Sequence, residues 1–248
     1  MQLFDNQNNT HLEMPFLLPK NENYSWHFDE INKVFVVKIP NGELLYGACF
    51  FNKKESDEAL DYFLANENFD WKTTDWKNTN PKTVAWKNIN WRLDAIRMFG
   101  KMILQPRFTA WYGDENKSYK YSGLTMQPEP WNEGLLFLKN KIEQVAKVDF
   151  NSVLLNWYRN GDDHMGWHQD NEPELGKNPI IASVNLGATR RFLIRNKENT
   201  SEKIEILLHH GTFLLMRGEM QHHWQHSIPK AAKVKESRLN LTFRRIFI

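Results

Sequence analysis

Two segments within the first 150 residues repeat apolar positions at the spacing of an amphipathic helix. The first begins after Asn52, whose side chain can cap a helix, and Glu55 follows three residues later in a capping-box pattern. The second covers residues 131–147, where apolar side chains recur at intervals that place them on one helix face. Those apolar positions are Leu60, Phe63 and Leu64 in the first segment and Leu135, Leu138, Ile142 and Val145 in the second.

After residue 150 the pattern changes to short runs with alternating or continuous apolar character, which is typical of strands. These runs are SVLLNWY, ASVNLGA, RFLIRN, KIEILL, GTFLLM and RLNLTFRRIFI. Helices followed by a series of strands predict an α+β fold with a sandwich or barrel core. The first 40 or so residues are polar and rich in asparagine, and we expect an extension that is at most partly ordered.

Residues 71–91 interleave four tryptophans with lysine, threonine and asparagine. Alternating aromatic and basic residues are typical of surfaces that bind single-stranded nucleic acid. The alternative is a pair of amphipathic strands whose tryptophans pack inward, because aromatic residues suit pleated sheets. We favour the packed strands, since the aromatic positions follow no regular stacking repeat.

Composition and charge narrow the class of protein. The chain has 248 residues, 41% of them hydrophobic and 13% aromatic, which is enough for one large core. The formal charge of +2 gives no strong overall attraction to nucleic acid, so any such contact must come from a local basic patch. The single cysteine, Cys49, forms no intrachain disulfide and indicates a reducing compartment.

The chain shows neither a secretory signal nor an apolar stretch of membrane-spanning length. We therefore expect a protein without a membrane partner that is intracellular: cytoplasmic if bacterial, nuclear if eukaryotic. We also expect a monomer.

The segment HMGWHQDNE contains the tripeptide His168-Gln169-Asp170, which places two potential metal ligands on one side of an extended backbone. A third ligand has to come from the histidines that follow. His226, in the context HWQHSIP on a turn before the last strand, is the candidate that we select. Two imidazoles and one carboxylate leave three open positions on a six-coordinate metal, as in non-haem Fe(II) oxygenases. The other late histidines, His209, His210, His222 and His223, are expected at the surface or bordering the site.

The last predicted strand carries polar residues on one face, namely Arg238, Asn240, Thr242 and Arg244. Two arginines on one face of a buried strand would be costly without an anionic partner. Two guanidinium groups matched to two carboxylates suit a dicarboxylate such as 2-oxoglutarate. On an earlier strand, Asn156 and Tyr158 also share a face, and both can donate hydrogen bonds to carboxylate oxygens.

These motifs together resemble the AlkB family of Fe(II)- and 2-oxoglutarate-dependent dioxygenases. The matching pieces are N-x-Y, H-x-D, the late histidine and R-x-N-x-T-x-R, in the family's order, and the resemblance extends from about residue 43 to the C-terminus. It implies a double-stranded β-helix (jelly-roll) core with N-terminal helices and a nucleotide-recognition lid at about residues 85–130. The implied domain covers residues 43–248, after an extension over residues 1–42.

The resemblance also implies roles for the residues that match these motifs. Iron would be held by His168, Asp170 and His226. Arg238, helped by Tyr158 and Asn240, would bind the distal carboxylate of 2-oxoglutarate, while Arg244 and Asn156 would hold its iron-chelating end; Thr242 shares that strand face. The implied reaction consumes O2 and 2-oxoglutarate, oxidises an N-methyl group and releases formaldehyde, succinate and carbon dioxide.

Before the iron motif, FGKMILQPRFTAWYGD and YKYSGL are similar to the branch of the family that repairs duplex DNA. Phe99 would enter the base stack as a wedge, a known device for stabilising a flipped base. Tyr121 would stack on that base opposite His168, and Arg107 would touch the gap left in the duplex. Tyr119, Asn171 and Glu172 would surround the base, with Glu172 accepting from an exocyclic amine.

The sequence departs from that branch at Asn171, where the branch has an acidic residue. The stretch PKAAKVKES carries Lys230, Lys233 and Lys235, which suit phosphate contacts but equally suit a solvated loop. The leading hypothesis is demethylation of 1-methyladenine and 3-methylcytosine in DNA. The alternatives are methylated RNA as substrate, a binding module for damaged bases without turnover, and a protein or small-molecule hydroxylase.

Overall fold

The computed structural model describes residues 13–76, 78–80, 83–98, 101–115, 119–121 and 124–247. In this part of the chain a large and a small antiparallel sheet face one another. The strand order is β1-β2-β3-β14-β11-β16-β9-β6 in the large sheet and β10-β15-β12-β13 in the small one. The α+β class and the jelly-roll core predicted from the sequence are confirmed.

The helices are α1 (Lys53–Phe63), α2 (Glu133–Ala146) and the short α3 (Met220–His223), with a 3-10 helix at Pro173–Leu175. The strands of the first half are β1 (Ser25–Asp29), β2 (Val34–Ile39), β3 (Gly42–Gly47), β4 (Ala95–Met98), β5 (Lys101–Leu104), β6 (Phe108–Gly113), β7 (Tyr119–Tyr121) and β8 (Leu124–Met126). Those of the second half are β9 (Ser152–Tyr158), β10 (Met165–His168), β11 (Ile181–Gly187), β12 (Arg190–Asn196), β13 (Lys203–Leu208), β14 (Thr212–Arg217), β15 (Trp224–Ile228) and β16 (Arg238–Arg244).

Both predicted helices form where the pattern places them. At the start of α1 the Asn52 side chain accepts from the Glu55 backbone N–H at 2.9 Å, and the Glu55 carboxylate accepts from the Asn52 N–H at 2.8 Å. This reciprocal capping satisfies two N–H groups that the helix itself cannot pair. Helix α2 is capped by Asn132 and ends at Lys147, which adopts a left-handed conformation.

The buried apolar residues form two cores, one on each face of the large sheet. The outer core packs α1 and α2 against the odd-numbered positions of β9 and β16, such as Leu155 and Leu241. The inner core fills part of the space between the two sheets and includes Phe192 and Ile194 of β12. The remaining inner positions of β9, β11 and β16 are polar, and they form the site described below.

The structure differs from the expected N-terminal extension over residues 25–39. These residues form β1 and β2, which pair with each other and, through β2, with β3 at the edge of the large sheet. Val34, Val37 and Ile39 are buried there, because the alternating apolar positions of β2 continue the inner and outer faces of the sheet. The large sheet therefore includes strands that precede residue 43.

The tryptophans of residues 71–91 pack inward, as the favoured interpretation predicts, but not on strands. The described backbone of this segment consists of turns, irregular stretches and an isolated bridge between Asn66 and Trp86. The rings of Trp76, Trp86 and Trp91 surround the buried Trp157 of β9, with centroid separations of 4.8, 5.2 and 5.7 Å. The segment thus covers the outer core, because these three aromatic rings pack against Trp157.

Residues 85–130, the expected lid, contain two separate two-stranded sheets, β4-β5 and β7-β8. The same range includes β6, which belongs to the large sheet and pairs with β9. Among the described residues of this range, the two small sheets are the candidates for a lid, and that role stays a prediction. Among the described residues, no helix combines the length and the apolar character needed to cross a membrane.

Candidate metal centre and cosubstrate pocket

The three predicted metal ligands meet at the edge of the small sheet. His168 ends the edge strand β10 and lies directly opposite His226 of β15, with ring centroids 4.1 Å apart. Asp170 follows two residues later, and its Oδ2 is 3.9 Å from His226 Nε2. One potential ligand atom from each of the three residues lies within 4.8 Å of the others. His226 is on a strand rather than on the predicted turn, because WQHSI pairs with both β10 and β12.

The protonation states at this cluster suit a divalent metal. Burial, followed by the neighbouring His168, lowers the pKa of His226 to about 3, so its imidazole is neutral. Burial alone would raise the pKa of Asp170, but Arg244, His226 and His168 outweigh it and hold the pKa at about 2. A neutral imidazole and an ionised carboxylate are the forms that bind metal, so no proton has to leave His226 or Asp170 at neutral pH.

The orientation of His168 leaves one ring nitrogen for a metal. Its Nδ1 lies 2.9 Å from the carbonyl oxygen of Gly166, which assigns the N–H to Nδ1 and leaves Nε2 as the lone-pair donor. His226 is fixed differently, by packing against the ring of Phe192 at 5.3 Å. Two imidazoles and one carboxylate on one side of a site fit Fe(II). Fe(II) held there would activate O2, the oxidant, for attack on a C–H bond.

Arg238 supplies the strongest sign of an anionic ligand. Only 2% of the residue is exposed, and its Nε and Nη1 have no hydrogen-bond partner in the structure. Its Nη2 donates to Asn185 Oδ1, and its guanidinium lies 4.9 Å from the Tyr158 ring centroid. Burial, together with the nearby Arg190, lowers the pKa of Arg238 to about 10, so the group stays charged at neutral pH. A buried cation with unpaired N–H groups is costly unless an anion binds it.

The other predicted cosubstrate residues line the same cavity, as the alternation of β9 and β16 requires. Arg238 pairs in register with Tyr158, and Asn240 with Asn156. The cavity lies between the sheets, with the metal cluster on one side and Arg238 on another. Its polar lining consists of Arg107, Asn156, Tyr158, His168, Asp170, Ser183, His226, Arg238, Asn240, Thr242 and Arg244.

Arg244 lies next to the metal cluster. Its Nη2 donates to Asp170 Oδ1 at 3.0 Å, and both side chains are buried. This bond fixes one carboxylate oxygen of Asp170 and leaves Oδ2 on the side of His226. The arginine predicted for the iron-chelating end of the cosubstrate therefore also orients a metal ligand.

Two residues that the sequence interpretation missed, Ser183 and Asn185, hold the polar floor of the cavity together. Asn185 Oδ1 accepts from Arg238 and, at 3.2 Å, from Asn240; Ser183 Oγ accepts from Asn240 at 2.7 Å. The signal was present, because in ASVNLGA these two polar residues alternate with Ala182, Val184 and Leu186. They hold Arg238 and Asn240 in place on the polar face of the cavity.

The structure places Arg107 in the lining of the cavity, and its contact with a duplex stays a prediction. Arg107 is only 3% exposed, and its Nε donates to Asn156 Oδ1 at 2.7 Å inside the cavity. The guanidinium of Arg107 can only donate hydrogen bonds, so Asn156 must turn its side-chain oxygen toward it. The side-chain N–H groups of Asn156 are then left for another acceptor.

The remaining predicted substrate residues are only partly described. Glu172 is half-buried, and its Oε2 is a buried oxygen without a hydrogen-bond partner. Asn171 is exposed beside it. Tyr119 and Tyr121 both belong to β7. Phe99 lies outside the described residues, so its predicted role stays a prediction.

The basic loop between β15 and β16 is exposed to solvent at Lys230, Lys233 and Lys235. Its start is anchored by the buried Arg190, which donates to the carbonyl oxygens of Pro229, Asn160 and Asp163. The loop that precedes β10 and the loop that precedes β16 are therefore tied to one guanidinium.

Comparisons with known proteins agree with the site. Residues 48–244 match the family described as the 2OG-Fe(II) oxygenase superfamily. The proteins named alpha-ketoglutarate-dependent dioxygenase alkB homolog 3 from Bos taurus and Homo sapiens are 48% and 49% identical over 152 residues, which are 58% of this chain and 52% of each relative. DNA oxidative demethylase ALKBH2 from Bos taurus is 41% identical over 161 residues, 62% of this chain and 58% of that relative.

The chain spans about half the length of the curated relatives it matches first. The match to the superfamily, by contrast, covers most of the chain and includes all three metal ligands and both cavity arginines of β16. The chain belongs to the 2OG-Fe(II) oxygenase superfamily, and the resemblance to AlkB predicted from its motifs is confirmed by its relatives.

Proposed function

We propose that this protein is an oxidative demethylase of N-alkylated bases in DNA, with 1-methyladenine and 3-methylcytosine as substrates. It would use Fe(II), O2 and 2-oxoglutarate and release formaldehyde and succinate. The observation that carries the proposal is the buried Arg238, whose unpaired N–H groups share a cavity with His168, Asp170 and His226. That arrangement combines a dicarboxylate site with a metal site of oxygenase type.

The cavity residues divide between the two ends of 2-oxoglutarate in this proposal. Arg238, with Tyr158 and Asn240 beside it, binds the distal carboxylate, and its missing hydrogen bonds are supplied by the ligand. Arg244 and Asn156 bind the end that faces the metal, which Arg244 already borders through Asp170. The extended cosubstrate then lies along the polar face of β16.

Glu172 supports an amino-bearing base as the substrate. Its buried Oε2 lacks a hydrogen-bond donor, and it lies two residues after the ligand Asp170. The exocyclic amine of adenine or cytosine can provide that donor, and an enzyme site left with an unpaired buried oxygen would reject bases without one. Tyr119 and Tyr121 around the base, and Phe99 as a wedge, complete the proposed recognition.

Contact with the nucleic-acid backbone is assigned to the exposed Lys230, Lys233 and Lys235. The overall charge of +2 is too small to attract nucleic acid, so a local patch is required. The name of the ALKBH2 relatives, DNA oxidative demethylase, supports DNA as the substrate. We further propose that the protein acts as a monomer in a reducing, intracellular compartment, which suits its single cysteine, Cys49.

The test is a comparison of methylated single- and double-stranded DNA and RNA of one sequence, incubated with the protein, Fe(II), ascorbate and 2-oxoglutarate. Mass spectrometry of the strands reads loss of the methyl group. We expect demethylation of 1-methyladenine and 3-methylcytosine in DNA at higher rates than in RNA. Faster reaction on RNA would reassign the substrate, and an unchanged methyl group on every strand despite bound iron would refute the demethylase proposal.

A further inference from the structure

Asp170 is a metal ligand that the sheet does not hold. Strand β10 ends at His168, and residues 169–172 have no regular secondary structure. Even β10 itself is weakly fixed, because its pairing with β15 consists of Met165↔Ile228 and His168↔His226 with a register shift between them. Something else must fix the backbone at Asp170, since a ligand has to be placed to within a fraction of an ångström.

Gln221 makes that connection from the short helix α3. Only 1% of this residue is exposed, and its Oε1 accepts from the backbone N–H of Asp170 at 3.0 Å. Its Nε2 faces Met216 Sδ at 3.7 Å, and sulfur is a weak acceptor. The principal polar interaction of the Gln221 side chain is therefore with the backbone of the ligand.

Gln169 makes the complementary interaction in the opposite direction. Its side-chain Nε2 donates to the carbonyl oxygens of Gln221 at 2.8 Å and His222 at 3.2 Å. These carbonyls belong to a helix of four residues, which cannot satisfy them internally. Each glutamine side chain thus bonds to the backbone of the other segment. We call this pair of interactions, formed by Gln169 and Gln221, the glutamine clasp.

The clasp connects the segments that carry two different ligands. Helix α3 runs directly into β15, and His226 lies five residues after Gln221. Asp170 follows Gln169 immediately. Loss of the Gln221 acceptor would leave the N–H of Asp170 buried and unpaired, a cost that the segment can avoid only by moving. Movement of that backbone carries the carboxylate away from the two imidazoles.

We propose that the glutamine clasp positions Asp170 relative to His226 and thereby sets the metal affinity of the site. Gln221 and Gln169 are positioning residues that do not touch the metal. Partners of this kind behind metal ligands are worth about 10- to 100-fold in affinity. The inference rests on the metal centre of the superfamily and not on the proposed nucleic-acid substrate.

The test titrates metal-free protein with Co(II) alone, with no nucleic acid and no turnover, and follows binding by calorimetry and by the visible spectrum of the bound ion. Gln221→Met keeps the length of the side chain and removes the acceptor. We expect about 10- to 100-fold weaker binding and a changed Co(II) spectrum. Gln225→Met is the matched control, because Gln225 lies next to His226 but bonds to Arg195. It should bind Co(II) as the wild type does.

Gln221→Glu retains an acceptor oxygen for the Asp170 N–H and should restore binding to within about threefold of the wild type or better. Wild-type Co(II) affinity and spectrum in Gln221→Met, whatever its thermal stability, would overturn the proposal and leave Gln221 a structural residue. Should Gln221→Met not fold, Gln169→Ala decides the question, since its half-buried side chain is replaced more easily. Several-fold weaker binding in Gln169→Ala supports the clasp, and unchanged binding refutes it.

Discussion

Arg238 keeps a full positive charge in a position where 2% of the residue is exposed and two of its nitrogens lack hydrogen bonds. Burial of this kind destabilises the free protein, and in the proposed function the bound dicarboxylate compensates for it. Asp170 is the reverse case, because Arg244 and the two histidines stabilise its ionised form. At the scale of residues, the Asp170 carboxylate is thus paired on one side of the cavity. On the other side, two nitrogens of the Arg238 guanidinium can still donate to an anion.

Arg238→Met should weaken 2-oxoglutarate binding by at least about 30-fold, which corresponds to about 2 kcal/mol. Calorimetry in the presence of a redox-inert metal measures this. The thermal stability of the ligand-free protein should stay the same or increase, since a buried unpaired charge is removed. Arg191→Met, which removes an exposed partner of Glu205, should leave the cosubstrate affinity unchanged. A cosubstrate affinity within threefold of the wild type would contradict the role of Arg238.

Asp170→Ala removes the only anionic ligand of the cluster and the carboxylate partner of Arg244. We expect loss of demethylation and of metal binding, measured by formaldehyde release and by Co(II) titration. Asp162→Ala, in an exposed loop before β10, is the control and should retain both. Substantial residual turnover in Asp170→Ala would refute the assignment of the metal centre.

At the scale of elements, the strands that build the dicarboxylate face were predictable from alternation alone. The polar positions of β9 and β16 face the cavity because strands of period two separate their faces cleanly, and the same rule would have found Ser183 and Asn185 on β11. Strands β10 and β15 were not predicted. They are short, and β10 is irregular at the edge of the small sheet, so long-range pairing defines them more than their own pattern.

An ion pair between helices α1 and α2 allows a test of electrostatic stabilisation. The Glu55 carboxylate caps α1 and pairs with Lys141 of α2 at 2.7 Å. Burial would raise the pKa of Glu55, but the bonds from Lys141 and from the Asn52 N–H lower it below its usual 4.5. Because the folded-state pKa is depressed, the stabilisation is present in full above about pH 4.5 and is lost as the pH falls through the lowered pKa.

Glu55→Gln keeps an acceptor for the cap and removes the charge. Relative to the wild type, it should unfold with a free energy lower by about 1 kcal/mol or less at pH 7. The difference should shrink toward zero at pH values below the lowered pKa. Urea unfolding at both pH values measures it, and Glu58→Gln, in a longer exposed pair with Lys54, is the control with little change. A difference that grows in acid would contradict the assigned pKa direction.

At the scale of the whole molecule, the sequence predicts the class and the core but not the pairing of residues 25–39 with the large sheet. The sequence predicts an extension where β1 and β2 form a hairpin, because polar residues surround these two strands. Val34 and Val37 are buried only through the pairing of β2 with β3. The strands expected in the tryptophan segment were predicted wrongly for a related reason. Its aromatic rings contact Trp157, far away along the chain, and local periodicity does not record such contacts.

The predicted wedge gives a test of how the molecule engages a duplex. Phe99→Ala should reduce repair of double-stranded DNA more than repair of single strands. An apolar wedge contributes to the reaction only where bases must be unstacked. Rates on the two forms of one methylated oligonucleotide measure the effect. Leu104→Ala, at an exposed position of β5, is the control and should change neither rate strongly. Equal losses on both forms would remove the wedge hypothesis.

In the proposed function, oxidation at this site is directed to a methylated base. The most direct measurement is the amount of formaldehyde and succinate formed when the protein acts on DNA that contains 3-methylcytosine, with the same strand unmethylated as reference. We predict equal amounts of the two products on the methylated strand and much less succinate on the reference. The demethylase proposal would be contradicted if the methylated strand gave no formaldehyde and only as much succinate as the reference strand.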